Sequence, residues 1–341
     1  MRNLAVFSLK TNKTRWLYVA GVFFLVLAAV LSIMLGSTAL SWAEMAAAFR
    51  DGCNATAGTR IFAYVRLPRT LASLSCGAAL AVSGAVIQGV LANRLASPSI
   101  IGVNAGAGLA ITVCTALGVV GGWQMSLWAF AGAFGAVLLV SLGAKRWGAS
   151  RSTVILMGVA MNALLGAVSD TVTALLPDVS VMSNHFKIGE FAALGYGQLL
   201  PAVTIIVLTI LVLCTMHNQM DVLTLGEETA RGLGMNTPLM RVVFLLLAAL
   251  LAGCAVSLAG LLSFVGLLVP HAVRRMAGNK ASDLMGLCGL YGAGFVCLCD
   301  TAARTLFAPY EIPVGIIMAY LGAPFFVFIL LKGKGGHRPN D

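Results

Sequence analysis

The chain has 341 residues, of which 59% are hydrophobic and only 10% charged, with a mean hydropathy of +0.94 and a formal net charge of +10 at pH 7. A soluble domain of this length carries roughly a quarter charged residues, so water is excluded as its solvent and a bilayer must take that place. The basic residues lie in short clusters between apolar runs, neither a stripe nor a tail, which argues against a nucleic-acid partner and for a membrane topology signal.

Residues 1–15 carry Arg2, Lys10, Lys13 and Arg15 and read as a cytoplasmic N-terminal segment. The apolar stretch 16–36 resembles the core of a signal peptide but is 21 residues long, enough to span, and is expected as the first membrane helix. A short surface helix is expected over 41–50. Nine further apolar segments follow, at 71–91, 99–120, 123–142, 154–176, 199–216, 242–259, 261–272, 284–303 and 312–331. Most approach the ~20 residues that cross hydrocarbon. Between them, 177–198 is polar enough to lie at an interface. The longest insertion, 217–241, reads as one or two short helices broken at Gly226, Gly232 and Gly234.

The run 242–272 has only 31 residues, too few for two full spans. Arg241 precedes it, and Arg274 and Arg275 follow it. All three belong on the cytoplasmic side, so the chain must cross an even number of times between them. A short or broken eighth helix, with Pro270 near its end, meets that condition. The expected fold is an all-α membrane protein of about ten transmembrane helices with a short or broken eighth helix. It forms a single transmembrane domain over 16–332 and a cytoplasmic tail over 333–341. With both termini inside, only Arg50, Arg60, Arg66, Arg69, Lys187 and Arg304 of the 22 Lys and Arg fall outside.

No catalytic constellation stands out. His185, His217, His271 and His337 are scattered, and no Cys or His spacing fits a metal site, so no metal is expected. Gly333-Lys334-Gly335 lacks the Ser/Thr and the earlier Gly of a phosphate loop, so ATP has to be bound by a partner subunit. Asp170 and Asp300 are the only acids within the proposed spans, few for an ion-coupled carrier. Arg66, Arg69 and Arg304 sit at outer helix ends. They read either as snorkelling anchors or as a cationic rim that registers an acidic partner, with Asp300 and Glu311 near enough in sequence to pair with Arg304. Gly102 and Gly106 form a GxxxG read as close packing. Met157, Met161 and Asn162 fall on neighbouring faces of one helix, either lining a pathway or packing in the core.

Several longer strings then occur in order: Arg66-Leu-Pro-Arg-Thr-Leu-Ala72, Gly77-Ala-Ala-Leu-Ala-Val-Ser-Gly84 with Gln88-Gly89, Gly226-Glu-Glu-Thr-Ala-Arg-Gly-Leu-Gly234, Phe264-Val-Gly-Leu-Leu-Val-Pro-His271, and Ile312-Pro-Val-Gly315 with Leu321-Gly-Ala-Pro-Phe-Phe326. Over about residues 66–332 the chain resembles the FecCD-type permeases of ABC importers for ferric siderophores, haem and cobalamin. The resemblance implies a bacterial cytoplasmic-membrane location, a second permease subunit as a homo- or heterodimer partner, two cytoplasmic ABC ATPases and an extracytoplasmic substrate-binding protein. It implies that Arg66, Arg69 and Arg304 receive glutamates of that binding protein. It also implies that Leu225, Gly226, Glu227, Glu228, Ala230, Arg231, Gly232 and Gly234 couple to the ATPase, and that Ser150, Arg151, Ser152 and Thr153 belong to a cytoplasmic gate. The sequence departs from the family at Asn93-Arg94-Leu95-Ala96-Ser97-Pro98, which usually reads Asn-Pro-Leu-Ala-Asp-Pro, and at Ser263, where a Gly is common.

The leading expectation is therefore an importer permease without an ATPase site of its own. Its expected substrate is a ferric siderophore, the largest substrate class of that family, with haem and cobalamin as alternatives. An ion-coupled secondary carrier and a membrane-embedded enzyme are the competing classes.

Overall fold

The computed structural model describes residues 2–36, 38, 41–50, 56–119, 121–146, 150–191 and 194–333, so the tail expected over 333–341 lies outside it except for Gly333. The described regular elements are helical: α1 (Arg2–Met34), α2 (Trp42–Arg50), α3 (Ala57–Ile61), α4 (Leu67–Val90), α5 (Val103–Ala116), α6 (Gly122–Arg146), α7 (Arg151–Leu175), α8 (Pro177–Ile188), α9 (Tyr196–Thr215), α10 (His217–Thr224), α11 (Glu227–Gly232), α12 (Thr237–Ala259), α13 (Val265–Ala277), α14 (Ala281–Thr305) and α15 (Val314–Gly333). A π-helical turn, Phe62–Arg66, joins α3 to α4 in one continuous rod. Seven of the described helices are long and apolar enough to cross a membrane: α1, the α3–α4 rod, α6, α7, α9, α12 and α14. The shorter α5 and α15 are apolar too, and with the short α13 the described helices fit the expected count of about ten.

The α3–α4 rod, α12 and α14 form the centre, and they meet through small residues. A Cβ added at Gly77 would lie 2.2 Å from the carbonyl oxygen of Gly292 on α14, and one at Gly84 would lie 2.1 Å from that of Gly266 on α13. Backbone thus packs on backbone, which strengthens dispersion where lipid removes the hydrophobic drive. The GxxxG glycine Gly106 likewise abuts Gly132 of α6, so that motif packs within this chain. By contrast, α7 presents Leu156, Leu164 and Leu175 outward. Only lipid or another protein can cover such a face.

The boundaries differ from expectation where glycine and proline intervene. The apolar run 99–120 yields only the 14 residues of α5. Pro98 disfavours helical backbone at Ser97, and Gly102 adopts a left-handed φ of 98° directly before the helix. The second membrane helix starts earlier than residue 71, because Thr56 and Thr59 cap each other reciprocally at the start of α3. The eighth helix is short, as expected. It begins only at Val265, after a break bounded by Gly260 (φ 68°) and Phe264 (φ 66°). A left-handed phenylalanine is a strained position that its surroundings must hold in place.

Candidate functional site

Charged side chains gather at the two ends of this apolar bundle. At one end the last turn of α1 leaves carbonyl groups without intrahelical partners, and two arginines take them. Arg66, at the end of the π-turn, donates from Nη1 to the carbonyls of Ile33 and Met34, both at 2.7 Å, and from Nη2 to that of Thr38. Arg304, in the last turn of α14, donates from Nη2 to the Ser32 carbonyl (3.2 Å) and hydroxyl (2.8 Å) and from Nη1 to the Leu35 carbonyl (3.3 Å). Both arginines are buried.

The anion of this end is Asp300, one turn before Arg304 and fully buried. Arg69 grips it with Nε at 3.1 Å from both carboxylate oxygens and Nη2 at 3.0 Å from Oδ1. The Nε of Arg304 lies 3.1 Å from Oδ2, close enough for an ion pair but not aligned as a hydrogen bond. The remaining arm of Arg69, Nη1, donates to Glu311 Oε2 at 2.7 Å. The three arginines therefore gather at one end of the bundle, with Arg66 and Arg304 buried there. Arg66 and Arg304 point inward because unsatisfied helix-end carbonyls and a buried carboxylate outcompete water for them. Of the open pairings, Asp300 takes both Arg304 and Arg69, whereas Glu311 takes Arg69. Sequence reasoning missed Asp300 as the hub, although its i,i+4 spacing to Arg304 was the available signal.

At the other end α10 and α11 form a small helical knob. Gly226 (φ 112°) and Gly234 (φ 81°) adopt backbone that a side chain would strain and flank α11 on either side, whereas Gly232, also expected as a break, is the last residue of α11. Glu227 accepts from Arg231 Nη2 at 2.6 Å and from Arg241 Nη2 at 3.1 Å. Arg241 is buried, and its Nε and Nη1 have no hydrogen-bond partner among the described residues. Ala230 is buried and Glu228 exposed, while Leu225 and Leu233 project outward at 62% and 65% exposure. The knob is fastened to the spans at three points. One is the Glu227–Arg241 pair on α12. The second is Asp221 Oδ1, which accepts the Ala281 N–H that opens α14 at 2.8 Å, and the third is Arg151 Nη2 of α7, which donates to the Leu223 carbonyl at 3.2 Å.

Arg151 thus brings the expected gate to the expected coupling segment. Ser150 caps α7 by accepting the Thr153 N–H at 3.1 Å, and its hydroxyl meets those of Ser152 (3.0 Å) and Thr153 (2.7 Å). Met157 and Met161 pack against the core, and Asn162 donates to the carbonyls of Ser99 (2.9 Å) and Ile100 (3.3 Å). Asn162 thereby ties α7 to the turns before α5, while the outward face of α7 carries Leu156, Leu164 and Leu175.

A helical bundle with an apolar outside, a tight glycine-lined centre and charged devices only at its ends is a multi-pass membrane transport protein in architecture. Residues 24–332 match the FecCD transport family, and the chain belongs to it. The chain is 34% identical over 274 residues to the Fe(3+)-citrate import system permease protein YfmD of Bacillus subtilis (strain 168), covering 80% of this chain and 82% of that one. It is also 34% identical over 283 residues to the hemin transport system permease protein HmuU of Yersinia pestis, covering 80% and 84%. A solved metal-chelate type ABC transporter in an inward-facing conformation superposes with a TM-score of 0.80 at 28% identity, over 94% of this chain and 99% of that one. The chain is a permease subunit of an ABC transporter.

Proposed function

We propose that this permease carries a ferric siderophore inward across the bacterial cytoplasmic membrane. It works beside a second permease subunit, two cytoplasmic ATPases that bind the ATP, and an extracytoplasmic substrate-binding protein. Both termini and the Glu227 end face the cytoplasm. The end built from Arg66, Arg69 and Arg304 faces outward and receives the acidic surface of the binding protein. Relatives for ferric citrate and haemin support a chelated-iron cargo.

The observation that carries this reading is the knob α10–α11, which offers two exposed leucines while tied to α7, α12 and α14. A motor gripping Leu225 and Leu233 moves three spans at once, including the gate residues Ser150 to Thr153. Such a bundle needs only two packings of similar energy, biased by different contacts with its partners.

The test is uptake by proteoliposomes holding the assembled complex, with ferric siderophore, haem and cobalamin each offered on their binding proteins. ATP-dependent accumulation of the ferric siderophore is expected. Leu225→Asp with Leu233→Asp is expected to reduce uptake at least about tenfold while the complex still inserts and binds substrate-loaded binding protein. Accumulation of haem or cobalamin alone reassigns the cargo. Uptake by the purified chain without ATPases, driven by an ion gradient, overturns the mechanism.

A further inference from the structure

Of the three outer arginines only Arg69 keeps an arm that a partner can reach. The donors described for Arg66 and Arg304 serve this chain's own carbonyls, the Ser32 hydroxyl and Asp300, and the side chains are 2% and 3% exposed. Arg69 has Nε and Nη2 on buried Asp300, so its plane is fixed, and Nη1 points to Glu311 at 2.7 Å. Glu311 is 39% exposed and sits in the connection between α14 and α15, whereas Arg69 is 11% exposed. The same connection between α14 and α15 also exposes Leu306, Phe307 and Tyr310, at 64%, 58% and 80%. Exposed apolar and aromatic side chains on a connection that also carries the partner of an oriented cation suit a protein contact site.

Resting on the docking reading above, we infer that Glu311 is a built-in stand-in for the binding protein's carboxylate, and that docking proceeds by exchange of that carboxylate for Glu311 on Nη1 of Arg69. Arg66 and Arg304 are positioning residues. They lock α1 to α4 and α14 so that the arm of Arg69 is held in place. The exchange replaces one carboxylate by another, so Arg69 keeps its neutralising charge throughout and Asp300 never loses its grip. Released Glu311 moves into water as the incoming carboxylate takes its place on Nη1, so one charge-assisted hydrogen bond replaces another. That exchange lets the site open for an acidic partner while remaining paired when empty.

Binding of the substrate-binding protein that stimulates ATP hydrolysis by the complex, measured by interferometry on complexes in nanodiscs, tests the exchange. Glu311→Gln is expected to tighten binding about fivefold, because the apparent affinity rises with the fraction of open sites. Asp178→Asn, an exposed acid on α8, controls for the same change in net charge. A Glu311→Gln effect no larger than that of Asp178→Asn overturns the exchange. Arg69→Gln separates the two claims. Weakened binding there with no special effect of Glu311→Gln sinks only the exchange, whereas unchanged binding in Arg69→Gln sinks docking at this end altogether.

Discussion

Asp300 and Glu227, at opposite ends of the bundle, are each held by two arginines at similar distances, 3.0–3.1 Å for Asp300 with Arg69 and Arg304 and 2.6–3.1 Å for Glu227 with Arg231 and Arg241. Their surroundings differ: Asp300 is fully buried, while the Glu227 side chain is 36% exposed and Arg231 61% exposed. Coulomb attraction grows as water is removed, and so does the penalty for leaving a charge alone. The Asp300 cluster therefore acts as a fixed clasp on three helices. The Glu227 cluster is a joint, one pairing buried and the other in water, suited to an element that shifts between two packings.

The contrast can be broken most directly at Asp300. Asp300→Asn removes the charge shared by two arginines that water reaches little or not at all. It is expected to destabilise the fold by about 3–5 kcal/mol, read as a lowered unfolding midpoint in detergent. A loss as small as that of an exposed pair would remove the distinction between clasp and joint.

Glu227→Gln comes next. It strips Arg241 of its anion while two of that arginine's nitrogens already lack partners among the described residues. About 1–3 kcal/mol is expected, together with faster amide exchange in α11, and with reduced stimulation of ATP hydrolysis if the coupling reading holds. Arg231→Ala, removing the solvent-facing partner, should cost at most about 1 kcal/mol, and the loss should disappear in 1 M salt, where the Debye length is about 3 Å. An Arg231 effect that survives high salt would mean the joint is as dry as the clasp.

Glu44 sharpens the comparison with a carboxylate held by neutral donors. The Ser41 N–H at 2.9 Å and hydroxyl at 3.0 Å hold Glu44 below the usual carboxylate range. A folded-state value below the unfolded one stabilises α2 above the unfolded value, and that stability is lost as pH falls through the folded value. Protection of the α2 amides is therefore expected to fall on acidification below about pH 4.3 in wild type and to be pH-independent in Glu44→Gln. This is the smallest of the four effects.

Much of this was legible in the chain because lipid imposes a length and a composition on every span. The short eighth helix followed from counting 31 residues between arginines that belong on one side, and the knob at Gly226 and Gly234 followed from glycine's access to left-handed backbone. The shortened α5 was harder to read, because residues 99–102 are apolar enough to pass for helix, although Pro98 and Gly102 stop it. The hold of Arg66 and Arg304 on the end of α1 was not legible, since the acceptors Ser32, Ile33, Met34 and Leu35 lie in and just after a helix remote in sequence.

Composition, hydropathy and the placement of Lys and Arg determined by themselves that this is a bundle of about ten membrane helices with charge confined to its ends. These are one-dimensional properties, set by transfer between water and hydrocarbon. Which arginine is buried, which reaches a partly exposed carboxylate, and which carboxylate serves as hub was decided only by tertiary structure. Desolvation and hydrogen-bond geometry depend on neighbours brought from distant parts of the chain, here Arg69 of α4 to the carboxylate of Asp300 on α14 and Ser32 of α1 to Arg304.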